Sequence, residues 1–128
     1  MNPIIIANWK LNPASQKEAE SLFDLVCKKI KGVKNAEVVF CPPFIYSNLI
    51  TLKQNIFLGA QNCFWEGEGA FTGEVSAKQL ANLKCSHIIL GHSERRKHFA
   101  ESNESVNKKI KACLDANLVP ILCIGETQ

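Results

Sequence analysis

Five short apolar runs, separated by stretches with helical spacing, leave this chain of 128 residues few folds to choose from. The runs cover residues 4–8, 37–41, 56–61, 86–90 and 120–124. They are nearly continuous in apolar side chains rather than alternating. That is the pattern of strands covered on both faces, as in a parallel sheet. Between the first two runs, Ala19, Leu22, Phe23, Val26 and Ile30 recur on one helical face. Asn12-Pro13 reads as a helix N-cap followed by proline at the first helical position, and Gly32 as the stop. Ser47 reads as the cap of a short helix reaching about residue 54. Ser76-Ala77-Lys78-Gln79 is a capping box. A further helix opens at 102–104, with Val106, Ile110, Cys113 and Leu114 on its buried side and Asn117 as its left-handed terminus. Apolar strands alternating with helices, with no hairpin signal, give an α/β fold with a parallel sheet. Periodicity leaves two architectures open, a doubly wound sheet or part of a (β/α)8 barrel.

Composition narrows the function. Hydrophobic residues make up 46% and charged residues 21%, which suits a globular domain. The formal charge is only +3, and basic residues are interspersed with acids, so nucleic acid is not an expected partner. The Lys28-Lys29-Ile30-Lys31 cluster reads as the wet end of a helix. The six cysteines form no C-x-x-C pair and sit on apolar runs, as small buried hydrophobes do; their spacing does not suit zinc. No signal peptide precedes the first strand, and no apolar stretch nears the roughly 20 residues of a membrane span. A reduced, cytoplasmic protein without membrane contact is expected.

The chemistry gathers at strand ends. After the run that closes at Leu90, Gly91 lets the backbone turn sharply and His92 follows. Ser93 and Glu94 suit the first turn of a helix, with the serine hydroxyl able to cap it. A helix N-terminus disfavours a protonated ring, so a neutral imidazole is expected. Asn8 and Lys10 stand likewise at the end of the first run. In parallel α/β sheets ligands bind at the carboxyl edge. A lysine with a neutral histidine suits a small anionic carbonyl compound: Lys10 holds the anion, and His92 donates a hydrogen bond to the oxygen.

Asn8-Trp9-Lys10, Ala60-Gln61-Asn62, Phe71-Thr72-Gly73-Glu74, Gly91-His92-Ser93-Glu94-Arg95-Arg96 and Pro120-Ile121-Leu122-Cys123-Ile124-Gly125-Glu126-Thr127 together resemble triosephosphate isomerase. The resemblance covers essentially the whole chain, but only about half the family's usual length. It favours the barrel. The chain then forms a single incomplete domain over residues 1–128, about four and a half of the eight β/α units of a TIM barrel. The resemblance implies interconversion of dihydroxyacetone phosphate and glyceraldehyde 3-phosphate through an enediolate, with no cofactor and no metal. It implies that Asn8 and Lys10 bind substrate, that His92 is the electrophile and that Glu94 supports the lysine. A neutral histidine paired with a glutamate base is this family's known solution.

The family's glutamate base follows the sixth strand, and its lid and phosphate-gripping loops come later still. None lies within these 128 residues, and Glu126 belongs to a different motif, so the chain alone is expected to be inactive. In the family, the loop carrying Thr72 and Glu74 enters a second subunit, where Glu74 would meet Arg95. This implies a homodimer for the full-length enzyme. The competing reading is a non-catalytic remnant or a dimer-forming interaction fragment.

Overall fold

The computed structural model describes residues 2–125. In chain order the elements are β1 (Ile4–Asn8), α1 (Gln16–Lys29), β2 (Glu37–Cys41), a 3-10 helix (Phe44–Leu49), β3 (Ile56–Ala60), α2 (Ala77–Asn82), β4 (Cys85–Leu90), α3 (Ser93–His98), α4 (Asn103–Asp115) and β5 (Val119–Leu122). They group into two compact units, residues 1–61 and 62–128.

The first unit is a parallel β1-β2-β3 sheet with α1 packed on it. Ile4 pairs with Glu37 and Asn8 with Cys41, while Val38 pairs with Ile56 and Phe40 with Leu58. β2 is the middle strand, and Val39, Phe40 and Cys41 have no exposed surface. Phe23 of α1 meets Phe40 edge-on at 5.2 Å between ring centroids, and Trp9 does so at 6.2 Å. β1 is not covered on both faces as its apolar run suggested: Ile4 and Ile5 remain 50% and 53% exposed. It pairs with β2 and stands at one end of the strand order.

Two helix starts differ from the sequence reading. Ser15, not Asn12, caps α1: its hydroxyl accepts from the Glu18 N–H, while the Glu18 carboxylate accepts from the Ser15 N–H. A capping box satisfies two backbone donors at once, which outbids a lone Asn-Pro signal. Ser47 lies inside the 3-10 helix rather than capping anything, because the turn already begins at Pro43.

In the second unit β4 and β5 run parallel, with His87 opposite Val119 and Leu90 opposite Leu122. Ile88 and Leu90 are fully buried. Ser76 and Gln79 form the expected capping box on α2, and Ser102 caps α4 through Ser105. α4 buries Val106, Lys109 and Cys113, but Leu114 is 57% exposed, so its buried stripe is narrower than expected and includes a lysine. Asn117 adopts φ +57 as its terminal role requires. All six cysteines are free; four are buried, while Cys27 and Cys123 are half-buried.

Candidate active-site strand ends

In the first unit one amide ties three strand ends together. Gln61, just past β3, donates from Nε2 to the carbonyl of Cys41 at 2.8 Å and to that of Lys10 at 2.9 Å. Asn8 Oδ1 accepts the Lys10 N–H at 3.0 Å. Lys10 itself is held at φ +56, a left-handed conformation costing about 1–2 kcal/mol for a residue with a Cβ. Asn8 and Gln61 thus stabilise an unfavourable backbone at an exposed lysine. Gln61 lay within a motif the sequence singled out, yet nothing there marked it as the tie.

In the second unit Gly91 makes the turn out of β4 at φ +69. A Cβ at Gly91 would lie 2.8 Å from the Arg96 guanidinium, which would have to shift, and 3.3 Å from Val106, on a backbone that already favours glycine. Arg96 Nε donates to the Gly91 carbonyl at 2.8 Å. The next residue, His92, is itself the N-cap of α3: its Nδ1 accepts the Glu94 N–H at 3.3 Å. Ser93, expected to cap, is instead the first helical residue. A ring nitrogen that accepts a backbone N–H carries no proton. With Nδ1 in the accepting position, Nε2 is the ring nitrogen left to donate a hydrogen bond at the carboxyl end of β4. The Glu94 carboxylate lies 3.6 Å from Nδ1 and is 46% exposed.

Behind the turn sits a cluster the sequence did not reveal. Glu101, with a side chain only 2% exposed, accepts from the Gly91 N–H at 3.1 Å and from Arg95 Nε at 3.1 Å. Buried Lys109 donates to the same carboxylate and to Asn62 Oδ1 at 2.8 Å. Burial pushes the Glu101 carboxyl up, but the hydrogen bonds and charges of Lys109 and Arg95 outweigh it and hold it below its usual range. The cluster grips the Gly91 backbone and Arg95 on either side of His92. Its members are far apart in sequence, so no local pattern announced them.

The loop after Asn62 is packed on itself through rings, with Phe64 centred 4.1 Å from Trp65 and 4.8 Å from Phe71. Its tip is a turn closed by the Glu74 N–H on the Phe71 carbonyl at 3.1 Å, with Gly73 at φ +91. Thr72 and Glu74 are exposed there. Arg95, the expected distant partner of Glu74, is bonded to Glu101 in its own chain and stacks over Phe99 at 4.9 Å. Among the described residues no cluster of three metal-ligating side chains occurs, and no helix is long and apolar enough to cross a membrane. Glu126 and Thr127 of the last motif lie outside the described residues.

Comparison with known proteins gives one answer. The family model described as triosephosphate isomerase matches residues 3–128. The triosephosphate isomerase of Dictyoglomus thermophilum is 48% identical over 126 residues, covering 96% of this chain and 50% of that protein. That of Ehrlichia chaffeensis is 47% identical over 128 residues, covering 99% and 53%. The crystal structure of triosephosphate isomerase from Bartonella henselae superposes with a TM-score of 0.84 at 36% identity, over 99% of this chain and 53% of that one. The chain thus spans about half the length of the relatives it matches. From these matches and the run of parallel β/α units, the chain belongs to the triosephosphate isomerase family and has the fold of the N-terminal half of its (β/α)8 barrel.

Proposed function

We propose that this chain carries the electrophilic half of a triose phosphate isomerisation, interconverting dihydroxyacetone phosphate and glyceraldehyde 3-phosphate in glycolysis and gluconeogenesis. Residues 1–128 act as a single incomplete domain, in the cytoplasm, and the full-length enzyme is a homodimer. The observation that carries this reading is the His92 Nδ1 contact: with Nδ1 facing the Glu94 N–H, Nε2 is the nitrogen that donates to a carbonyl oxygen. Such a donor stabilises the negative charge that develops on that oxygen when a proton leaves the neighbouring carbon. Lys10 supplies the positive charge for an anionic substrate, Asn8 fixes the Lys10 backbone and helps to bind, and Glu94 supports the lysine. No cofactor is needed, because the reaction only moves protons. Thr72, Glu74 and Arg95 are the contacts to a second subunit.

The base that takes the carbon proton is a glutamate after the family's sixth strand, beyond residue 128. General-base catalysis contributes typically about 10²–10⁴-fold, so the 128 residues alone turn over glyceraldehyde 3-phosphate negligibly. The test compares this chain with any product of the same reading frame extending past Gln128. The longer product isomerises, and His92→Gln lowers its kcat by about 10²-fold or more. Turnover by the 128-residue chain near that of a complete enzyme, or an unaffected His92→Gln variant, refutes the reading. The exposed loop tip at Thr72 and Glu74 favours a second reading, a non-catalytic fragment that retains a dimer-forming loop. Absence of any isomerising longer product would select it.

A further inference from the structure

We infer that Cys63 and Cys113 form a thiol pair that a peroxide converts into an intrachain disulfide. The two sulfurs lie 3.6 Å apart, although the residues are 50 positions apart in the chain. Cys63 follows Asn62, and Cys113 sits on α4 one turn beyond Lys109. The Lys109–Asn62 hydrogen bond, at 2.8 Å, therefore holds together the two segments that carry the thiols. A disulfide needs its sulfurs at about 2.05 Å, so bond formation asks for an approach of some 1.5 Å between segments already in contact.

Either sulfur can donate in the contact between them. One of the two, as its thiolate, attacks one oxygen of hydrogen peroxide; the O–O bond breaks, and sulfenic acid and hydroxide form. The other thiol then gives up its proton and attacks the sulfenic sulfur, expelling hydroxide. Two thiols and one peroxide yield one disulfide and two waters, each sulfur losing one electron. Cys63 is 1% exposed and Cys113 0%, so only a small oxidant reaches them, by local opening. The product bonds α4 covalently to the segment beside Asn62, within the cluster that holds the turn before His92.

The experiment treats the reduced chain with hydrogen peroxide in native buffer, blocks remaining thiols under acid denaturation, and maps peptides without reduction. A Cys63–Cys113 cross-linked peptide is expected, two hydrogens lighter than the reduced pair and released by dithiothreitol. Oxidation should raise the thermal midpoint, since the cross-link restricts the unfolded chain. In Cys63→Ser the cross-link is lost. The wild-type map alone suffices if that variant fails to fold. Both thiols remaining free while half-buried Cys27 and Cys123 oxidise overturns the inference. So does a statistical mixture of pairings like that of the urea-unfolded chain.

Discussion

Replacing Glu101 by glutamine tests whether the buried cluster behind His92 holds the second unit together. The substitution keeps the shape and removes the charge. Three donors converge on the carboxylate: Lys109 and Arg95 on Oε1, and the Gly91 N–H on Oε2. An amide offers one acceptor oxygen, so at least one of these donors faces an NH2 group. Lys109, 5% exposed at its side chain, also loses its buried counter-charge, and Asn62 is a neutral partner. Removing one partner of a buried ion pair costs about 3–5 kcal/mol, a large part of the 5–15 kcal/mol that typically holds a domain folded. Glu101→Gln should therefore lower stability by about that amount in urea unfolding followed by far-ultraviolet circular dichroism. Lys109→Met should relieve part of the damage. The double variant is expected to be more stable than the sum of the single losses predicts by about 2 kcal/mol, the signature of contacting residues. The pH dependence has a defined sign. The Glu101 carboxyl lies below its ordinary 4.5 in the folded chain, so below pH 4.5 the unfolded chain binds more protons. The stabilisation is complete above that value and is lost as pH falls through the lower, folded value. Glu101→Gln should remove this component of the acid slope. A loss under about 1 kcal/mol, additive with Lys109→Met, would refute the reasoning.

Gly91→Ala should cost about 1–3 kcal/mol in thermal unfolding, because it adds left-handed strain to a contact of 2.8 Å with Arg96. Gly73→Ala is the control: its φ is +91, but nothing lies within 4 Å of the added carbon, so about 1 kcal/mol of backbone strain is all it should show. Phe40→Ala, which empties a fully buried position between Phe23 and Trp9, should lose about 3–5 kcal/mol in urea unfolding.

The strands were legible because a buried parallel strand is a short unbroken apolar run, and β1 and β2 fall where those runs fall. Gly91 and His92 were legible as a turn and a strand-end group. The imidazole's capping role was not, because a serine stood one residue later and serine is the commoner cap. The Ser15–Glu18 capping box was present in the sequence but masked by the neighbouring Asn12-Pro13. Lys109 follows Lys108 on a helix, a pattern that reads as solvated; Glu101, eight residues earlier, and the distant Asn62 make its burial tolerable. Leu114 was assigned to the core by residue type, whereas the stripe through Val106, Lys109 and Cys113 leaves it outside. Cooperation among distant residues is a property of the packed chain and has no local period to read.

The half-exposed isoleucines of β1 have a consequence for what the strand can accept beside it. Pairing with β2 leaves Ile4 and Ile5 about as accessible as many surface residues, on an extended, apolar backbone segment. An apolar strand end of this kind is a template on which a further strand can pair, whether from the same polypeptide or from another.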